Sequence, residues 1–314
     1  MTKFLTGHQL PGRPSVGGWV SYGLGTENRN LPSFVVLITK GKGGQPLGAH
    51  LWGSGFLPAR HQGVLFRAAK DPVLYLGNPA GVSAESRRRM LDRLAEMNRL
   101  QQEDLGDPEI NSRVAQYEMA YRMQESAPDL MDLTKESPAT LERYGAEPGK
   151  PTYANACLLA RRLVERGVRF VQIFHEAWDQ HGNLPRDHTS QCHDVDQACY
   201  GLITDLKQRG LLDDTLVVWT GEFGRTPKIN KNAGRDHWGP CFTVLMGGGG
   251  VQGGRVIGAS DKWAAQPAHT PYGPEDMAAT LYHLLGLDPL DEMHTPEGRP
   301  IMIANNGRVM KELL

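Results

Sequence analysis

Segments with helical and strand-like patterns alternate along the middle of the chain, and this alternation constrains the fold more than any other feature. A helix is predicted in YANACLLARRLVERG, a strand in VRFVQIF, a helix in CHDVDQACYGLITDLKQRG and a strand in TLVVW. Strands that alternate with helices indicate a parallel sheet with crossover helices. The fold class is therefore α/β, and we expect functional residues in the loops beyond the carboxyl ends of the strands.

Further elements lie on either side of this stretch. SFVVLI at 33–38 and CFTVLM at 241–246 are typical of strands, and GPEDMAATLYHLLGL of an amphipathic helix. Charged helices with periodic apolar residues predict a helical insertion from about 83 to 146, with Ser83 as its first cap. A chain with 39% hydrophobic residues can bury one large core, or a core with an appended subdomain. We treat residues 1–314 as one domain that contains the insertion.

Charge and composition argue against several classes of partner. Lys and Arg number 34 and Asp and Glu number 35, so no overall field favours nucleic acid or an anionic membrane. No apolar run approaches the roughly 20 residues that a membrane-spanning helix needs. The four cysteines form no CxxC pair, which argues against a zinc ribbon. We therefore expect neither a nucleic acid nor a membrane as partner, and the sequence leaves the oligomeric state open.

Polar side chains follow two of the predicted strands and precede a third. VVWTGEFGRTP at 217–227 begins like a buried strand and then presents a carboxylate and a guanidinium between glycines. The loops HEAWDQHGN and NAGRDHWGP carry further carboxylates and imidazoles. Because strand ends of one sheet share a rim, we expect these side chains to form one site. They are His175, Glu176, Asp179, His181, Glu222, Arg225, Asp236 and His237.

These residue types are those of a metal site. Carboxylate oxygens and neutral imidazole nitrogens together suit zinc, manganese or iron, and a metal explains a cluster without cysteine. Asp179 and His181, two residues apart in an irregular loop, can both turn inward. The alternative is that each polar group caps a helix or hydrogen-bonds backbone in its own loop. For any single residue the two explanations weigh about equally, whereas the three loops together favour a metal.

Several rare motifs occur in one order along the chain: LPGRPSVGGWVSYGLG, LLDDTLVVWTGEFGRTP, GRDHWG and GGGGVQGGRVIGASD. With these motifs the chain resembles the bacterial proteins grouped as domain of unknown function 1501, placed within the alkaline phosphatase and sulfatase superfamily. The resemblance covers most of the chain. It implies an alkaline phosphatase-like parallel sheet between helices, metal ligands at strand ends, and hydrolysis of a phosphate or sulfate ester on a small molecule or a polysaccharide.

The resemblance also implies a set of ligands for a divalent metal ion, with zinc or manganese favoured over calcium. The matching residues are Asp179, His181, Glu222 and His237. His188 competes with His181 as the imidazole ligand, and Phe223 stands where the superfamily has a further histidine. Beside the metal, Arg225 is expected to bind an ester's oxyanion in a bidentate way. The alternative role for Arg225 is an ion pair that holds the loop.

Two features that the resemblance implies are missing ahead of the LTG motif near the start of the sequence, one from the superfamily and one common in the family. These are a first strand that ends in a metal-binding Asp and is followed by a nucleophile, and a twin-arginine export signal. We therefore expect a domain that lacks its first strand, derived from an exported parent, with an incomplete hydrolase site. The competing function is a non-catalytic scaffold or binding protein on the same fold, which Phe223 and the missing nucleophile favour.

Overall fold

The computed structural model describes residues 1–39, 47–67, 73 and 76–314. Its α-helices are α1 Thr2–Thr6, α2 Val16–Leu24, α3 Ala84–Leu105, α4 Pro108–Met131, α5 Pro138–Tyr144, α6 Tyr153–Glu165, α7 Leu184–Gln208 and α8 Pro274–Leu284. Its strands are β1 Phe34–Thr39, β2 Val64–Phe66, β3 Phe170–His175, β4 Val217–Thr220, β5 Gly224–Arg225, β6 His237–Trp238, β7 Val244–Gly247, β8 Ala259–Ser260, β9 Pro267–His269, β10 Glu292–His294 and β11 Pro300–Met302.

Local sequence signals set the helix starts. The side chains of Ser83, Ser137 and Thr152 accept hydrogen bonds from backbone N–H groups in the first turns of α3, α5 and α6. Such bonds satisfy donors that the start of a helix otherwise leaves free. The cap predicted at Ser83 is therefore confirmed.

Helix α7 begins at Leu184, earlier than the start near Cys192 that the apolar pattern predicted. Pro185 lies in its first turn, where a fixed φ favours the helix and the missing N–H costs nothing. The first two turns are polar and carry no apolar periodicity, so the pattern could not reveal them. As a result, His188 lies on a helix rather than in the loop before it.

Strands β2, β1 and β3 form a parallel sheet in that order, which confirms part of the predicted architecture. Val35 is in register with Val64 on one side and with Val171 on the other. β1 is apolar and almost completely buried, as expected for a central parallel strand covered on both faces. Leu158 of α6 belongs to the apolar cluster that covers this strand.

Strands β4 and β7 are antiparallel, which corrects the prediction that all the main strands form one parallel sheet. Val217 pairs with Gly247 and Thr220 with Val244, and among the described residues neither strand hydrogen-bonds to the three-stranded sheet. Residues 221–243, all described, contain β5 and β6 but no helix. Parallel strands are usually joined by a crossover helix. Because the connection from β4 to β7 contains no helix, it favours an antiparallel arrangement of these two strands. The fold is a mixed α/β fold with small antiparallel sheets.

Helices α3, α4 and α5 occupy the region predicted as helical from about 83 to 146. Its arginine-rich segment is bound by carboxylates. Arg88 pairs with Glu118 on α4 at 2.5 Å, and Arg89 pairs with Glu85 at 2.5 Å. These pairs are those of a solvated helix face.

A buried carboxylate on α7 binds side chains of α5 and α6. Asp205 is 3% exposed, and its Oδ2 lies 3.0 Å from Arg161 Nε on α6. The hydroxyl of Tyr144 on α5 donates to the same oxygen at 3.0 Å, and Arg209 Nε lies 2.9 Å from Oδ1. A buried charge is tolerated only when it is paired in this way.

A second apolar cluster packs α2 against α8, with Trp19 and Tyr282 buried at its centre. Among the helices of the described ranges, none is both long enough and apolar enough to cross a membrane.

Candidate metal centre

Two loops fold against each other beyond the carboxyl end of β3. One loop follows β3, and the other connects β5 to β6. The backbone N–H of Leu184 donates to Ala233 O at 2.8 Å, and that of Arg235 donates to Gln180 O at 2.9 Å. These hydrogen bonds fix the loops relative to each other, so that side chains distant in the sequence meet.

Gly234 makes this close contact possible. A Cβ at this position would lie 2.1 Å from the carbonyl carbon of His181 and 2.3 Å from the nitrogen of Gly182. Asn230 closes the same loop, because its Oδ1 accepts from Gly234 N at 2.9 Å and its Nδ2 donates to His181 O at 3.1 Å. The glycine of the motif NAGRDHWGP is therefore required by packing.

The short antiparallel pair of β5 and β6 sets the position of the second loop. Its register places Arg225 opposite His237. Next to this pair, Thr226 N donates to Asp236 O at 2.9 Å, and Asp236 N donates to Thr226 Oγ1 at 3.1 Å. The two strands thus present a guanidinium, a carboxylate and an imidazole from a fixed backbone.

Three predicted ligands converge beside these loops. Asp179 Oδ1 lies 2.8 Å from His237 Nε2 and 3.1 Å from His181 Nε2, and the two Nε2 atoms are 3.1 Å apart. Within the described part of the chain, these residues form a group whose donor atoms all lie within 4.8 Å of one another. The two histidine side chains are about half exposed, at 47% and 49%, so the group is open to solvent on one side.

A second carboxylate orients the ring of His181. Asp236 Oδ1 lies 2.8 Å from His181 Nδ1, and hydrogen bonds from His181 and Asn230 lower the pKa of Asp236 below its ordinary value. An ionised carboxylate only accepts hydrogen bonds, so Nδ1 carries the proton. In the neutral imidazole, Nε2 then presents its lone pair towards Asp179 and His237. Histidine ligands of metals are commonly oriented by a carboxylate in this way.

The dimensions of the group fit a small divalent ion. Bonds of about 2.0–2.2 Å from zinc to nitrogen or oxygen place tetrahedral ligands about 3.3–3.6 Å apart. The observed separations are 2.8, 3.1 and 3.1 Å. Opening the triangle by roughly 0.2–0.8 Å per edge therefore accommodates such an ion. One carboxylate and two imidazoles are a donor set that zinc and manganese accept.

Asp179 is held ionised by its neighbours. Partial burial raises the pKa of Asp179, but hydrogen bonds from His237 and Arg225 outweigh burial and keep this pKa below its ordinary value. Arg225 Nη1 lies 2.6 Å from Asp179 Oδ1, and Nη2 donates to Trp178 O at 2.7 Å. Arg225 therefore makes the ion pair that holds the loop, which is one of the two roles considered for it.

The other residues proposed from the sequence lie outside the group of three. Glu222 is in the turn between β4 and β5 and is not a member of that group. His188 packs edge-on against Trp178, with ring centroids 5.5 Å apart. Phe223 packs against His237, with ring centroids 4.5 Å apart, and so supports an imidazole that it cannot replace as a ligand.

Two supporting residues had no role in the predicted ligand set. Asp236 was part of the sequence pattern, but its function as the partner of His181 follows only from the loop contact. Asn230 was missed, although its Oδ1 accepts from the backbone N–H groups of Asn232 and Gly234, the kind of turn bond that asparagine commonly makes with its own backbone. Its Nδ2 also donates to Asp236 Oδ1 at 3.1 Å.

The fold and the site define a mixed α/β protein with a carboxylate and imidazole centre at the end of a parallel strand. The chain belongs to the family described as protein of unknown function (DUF1501), whose model matches residues 1–314. Comparison with curated proteins and with solved structures found no match.

Proposed function

We propose that this chain is a metal-dependent hydrolase of phosphate or sulfate esters, with Asp179, His181 and His237 as ligands of a divalent ion. The contact between Asp236 and His181 Nδ1 carries the proposal. It turns the lone pair of Nε2 towards a carboxylate oxygen only 3.1 Å away, and a cation between these two atoms relieves their repulsion.

The fold also supports the proposal of a hydrolase. An α/β chain whose carboxylate and imidazole groups lie beyond the end of a parallel strand is consistent with an alkaline phosphatase-like architecture. We propose Glu222 as a fourth ligand, because the glycines on both sides of its turn leave the backbone free to bring the carboxylate to the ion. Replacing Glu222 by Gln should lower metal affinity without unfolding the protein, and unchanged affinity would exclude it as a ligand.

The chain's own residues supply anion binding and orientation. When bound, the ion acts as a Lewis acid on the ester and stabilises the charge of the transition state. Arg225 lies beside Asp179, and a guanidinium has five N–H donors, so Arg225 can bind Asp179 and an ester oxygen together. Asp236 and Asn230 keep His181 oriented throughout. Water then cleaves the ester into an alcohol and a phosphate or sulfate anion.

A non-catalytic scaffold is the second candidate, and one observation favours it. The ion pair between Arg225 and Asp179 joins β5 to the loop after β3 and itself needs no metal. A binding protein could use this pair for stability alone. The two candidates differ in turnover, because only the hydrolase predicts metal-dependent release of product.

Hydrolysis of an aryl phosphate and an aryl sulfate tests the proposal. The hydrolase proposal predicts turnover with zinc or manganese, loss of turnover in His237→Ala, and retention in the matched variant His188→Ala, since His188 packs against Trp178 outside the group of three. Stoichiometric metal binding without turnover of either ester would favour the scaffold. Equal turnover by His237→Ala and wild type would contradict the proposed centre.

A further inference from the structure

The hairpin of β8 and β9 carries a tryptophan that points into solvent. Trp263 lies in the turn between these strands and is 68% exposed. An indole has a large apolar surface, and its exposure to water is unfavourable unless a partner covers it. Exposed tryptophans of this kind are enriched in binding sites.

The turn holds this tryptophan in place through its own hydrogen bonds. Asp261 Oδ1 accepts from Trp263 N at 3.1 Å and from Ala265 N at 2.8 Å, while Asp261 N donates to Gln266 O at 2.8 Å. Ala264 takes a left-handed backbone conformation with φ of 53°. A tryptophan on so constrained a turn binds a ligand with little loss of conformational entropy.

A lysine covers part of the indole. Lys262 Nζ lies 4.9 Å from the centroid of the Trp263 ring. A cation above one face of an aromatic ring is attracted by the negative charge of that face. The arrangement places a positive charge beside an indole that is 68% exposed.

The hairpin is tied to the candidate metal centre. Trp238 Nε1 donates to Ala265 O at 2.7 Å, and Trp238 directly follows His237 on β6. The turn that carries Trp263 is therefore anchored to the strand that carries a proposed ligand. A ligand large enough to reach both would be oriented by the hairpin.

The chemistry of the turn favours a carbohydrate with anionic groups. The C–H groups on one face of a pyranose ring carry partial positive charge and stack on the electron-rich face of an indole. Lys262 supplies a cation for a sulfate or phosphate substituent. The nearly balanced charge of the whole chain argues against nucleic acid. The hairpin also has only two and three residues in its strands, too little surface for a typical protein interface.

We infer that Trp263 and Lys262 form a sugar-binding subsite for an anionic polysaccharide, whose sulfate or phosphate ester is the group hydrolysed at the metal centre. This inference rests on the proposed function for the identity of the reacting ester. The binding itself requires only the hairpin.

Calorimetric titration of the full chain with a sulfated galactan and with its desulfated counterpart tests the subsite. Each titration is run with zinc and with a chelator. We expect Trp263→Ala to weaken binding of the sulfated polymer about five- to tenfold, and Trp263→Phe to weaken it less. Lys262→Gln should remove the preference for the sulfated polymer. Tyr200→Ala is the matched control, because Tyr200 on α7 is also 68% exposed.

The inference is overturned if Trp263→Ala binds the galactan like wild type, if Tyr200→Ala weakens binding equally, or if wild type binds neither polymer. Binding that depends on Trp263 in the presence of chelator supports the subsite even when no ester is hydrolysed. Failure of the hydrolase and failure of the subsite are therefore separate results. Circular dichroism of each variant verifies that it is folded.

Discussion

Asp236 Oδ1 lies 2.8 Å from Nδ1 of His181, although the two residues are 55 positions apart in the sequence. This hydrogen bond links the loop after β3 to the loop before β6, and it decides which nitrogen of His181 carries the proton. The proposed metal binding depends on it, because Nε2 is left with the lone pair that a ligand needs.

The first prediction concerns this hydrogen bond. Asp236→Asn should reduce affinity for zinc about 10- to 100-fold, because an amide cannot hold the imidazole in the same tautomer with the same strength. Competition with a fluorescent chelator measures the affinity. Asp213→Asn, in an exposed turn before β4, is the control and should bind zinc like wild type. Equal affinities of both variants would mean that Asp236 does not support a metal ligand.

Gly234 gives a second prediction. In Gly234→Ala the added methyl group would overlap the backbone of His181, so the two loops must separate and metal affinity should fall at least about tenfold. Gly239→Ala is a suitable control, because a Cβ at Gly239 meets no atom within 4 Å. If Gly234→Ala binds metal as tightly as Gly239→Ala, the close contact of the loops does not form the centre.

The buried carboxylate on α7 gives a third prediction, independent of function. Asp205→Ala leaves Arg161 buried without this partner, and breaking a buried pair typically costs about 3–5 kcal/mol. Urea unfolding measures the change in the free energy of unfolding. Glu85→Ala, in the first turn of α3, removes a carboxylate that pairs with the exposed side chain of Arg89 and should cost much less. If Asp205→Ala loses no more free energy of unfolding than the control variant, the packing of α7 does not depend on the buried pair.

Stability should also depend on pH through His175. Burial lowers the pKa of His175 below the ordinary histidine value of about 6.5, against the opposing effect of the hydrogen bond with Gln191. A lowered pKa means that the folded state prefers the neutral form, so its contribution is fully present above pH 6.5 and is lost as pH falls through the lowered pKa.

Urea unfolding of wild type and His175→Gln above and below that window measures this contribution. The loss of stability on acidification should be smaller in the variant, which cannot titrate at this position. Equal losses in both proteins would show that His175 is not linked to folding.

Much of the fold was predictable because it depends on local patterns. The strand VRFVQIF, the helix of YANACLLARRLVERG and the helical region from about 83 to 146 follow from apolar periodicity and capping residues. The antiparallel pairing of β4 with β7 was not predictable in this way. An isolated apolar strand looks the same in both orientations, and only the connection between two strands distinguishes them.

The candidate site was likewise predictable only in part. Asp179, His181 and His237 were predicted from residue types at strand ends, and the structure brings these three together. The roles of Asp236 and Asn230 depend on hydrogen bonds between two loops, which no spacing within either loop reveals. Glu222 is also a carboxylate near a strand end, yet it lies outside the group of three. Its turn follows β4, whereas the loop of Asp179 and His181 follows β3.

The most direct test of the account is the metal content of the purified protein after equilibrium dialysis against zinc or manganese, measured by elemental analysis. We predict one tightly bound ion per chain in wild type and in His188→Ala, and its loss in Asp179→Asn, His181→Ala and His237→Ala. An increase in Tm on metal addition should appear in the first two proteins only. Wild type that binds no ion, or triple replacement of Asp179, His181 and His237 that leaves the bound ion in place, would contradict the proposed centre.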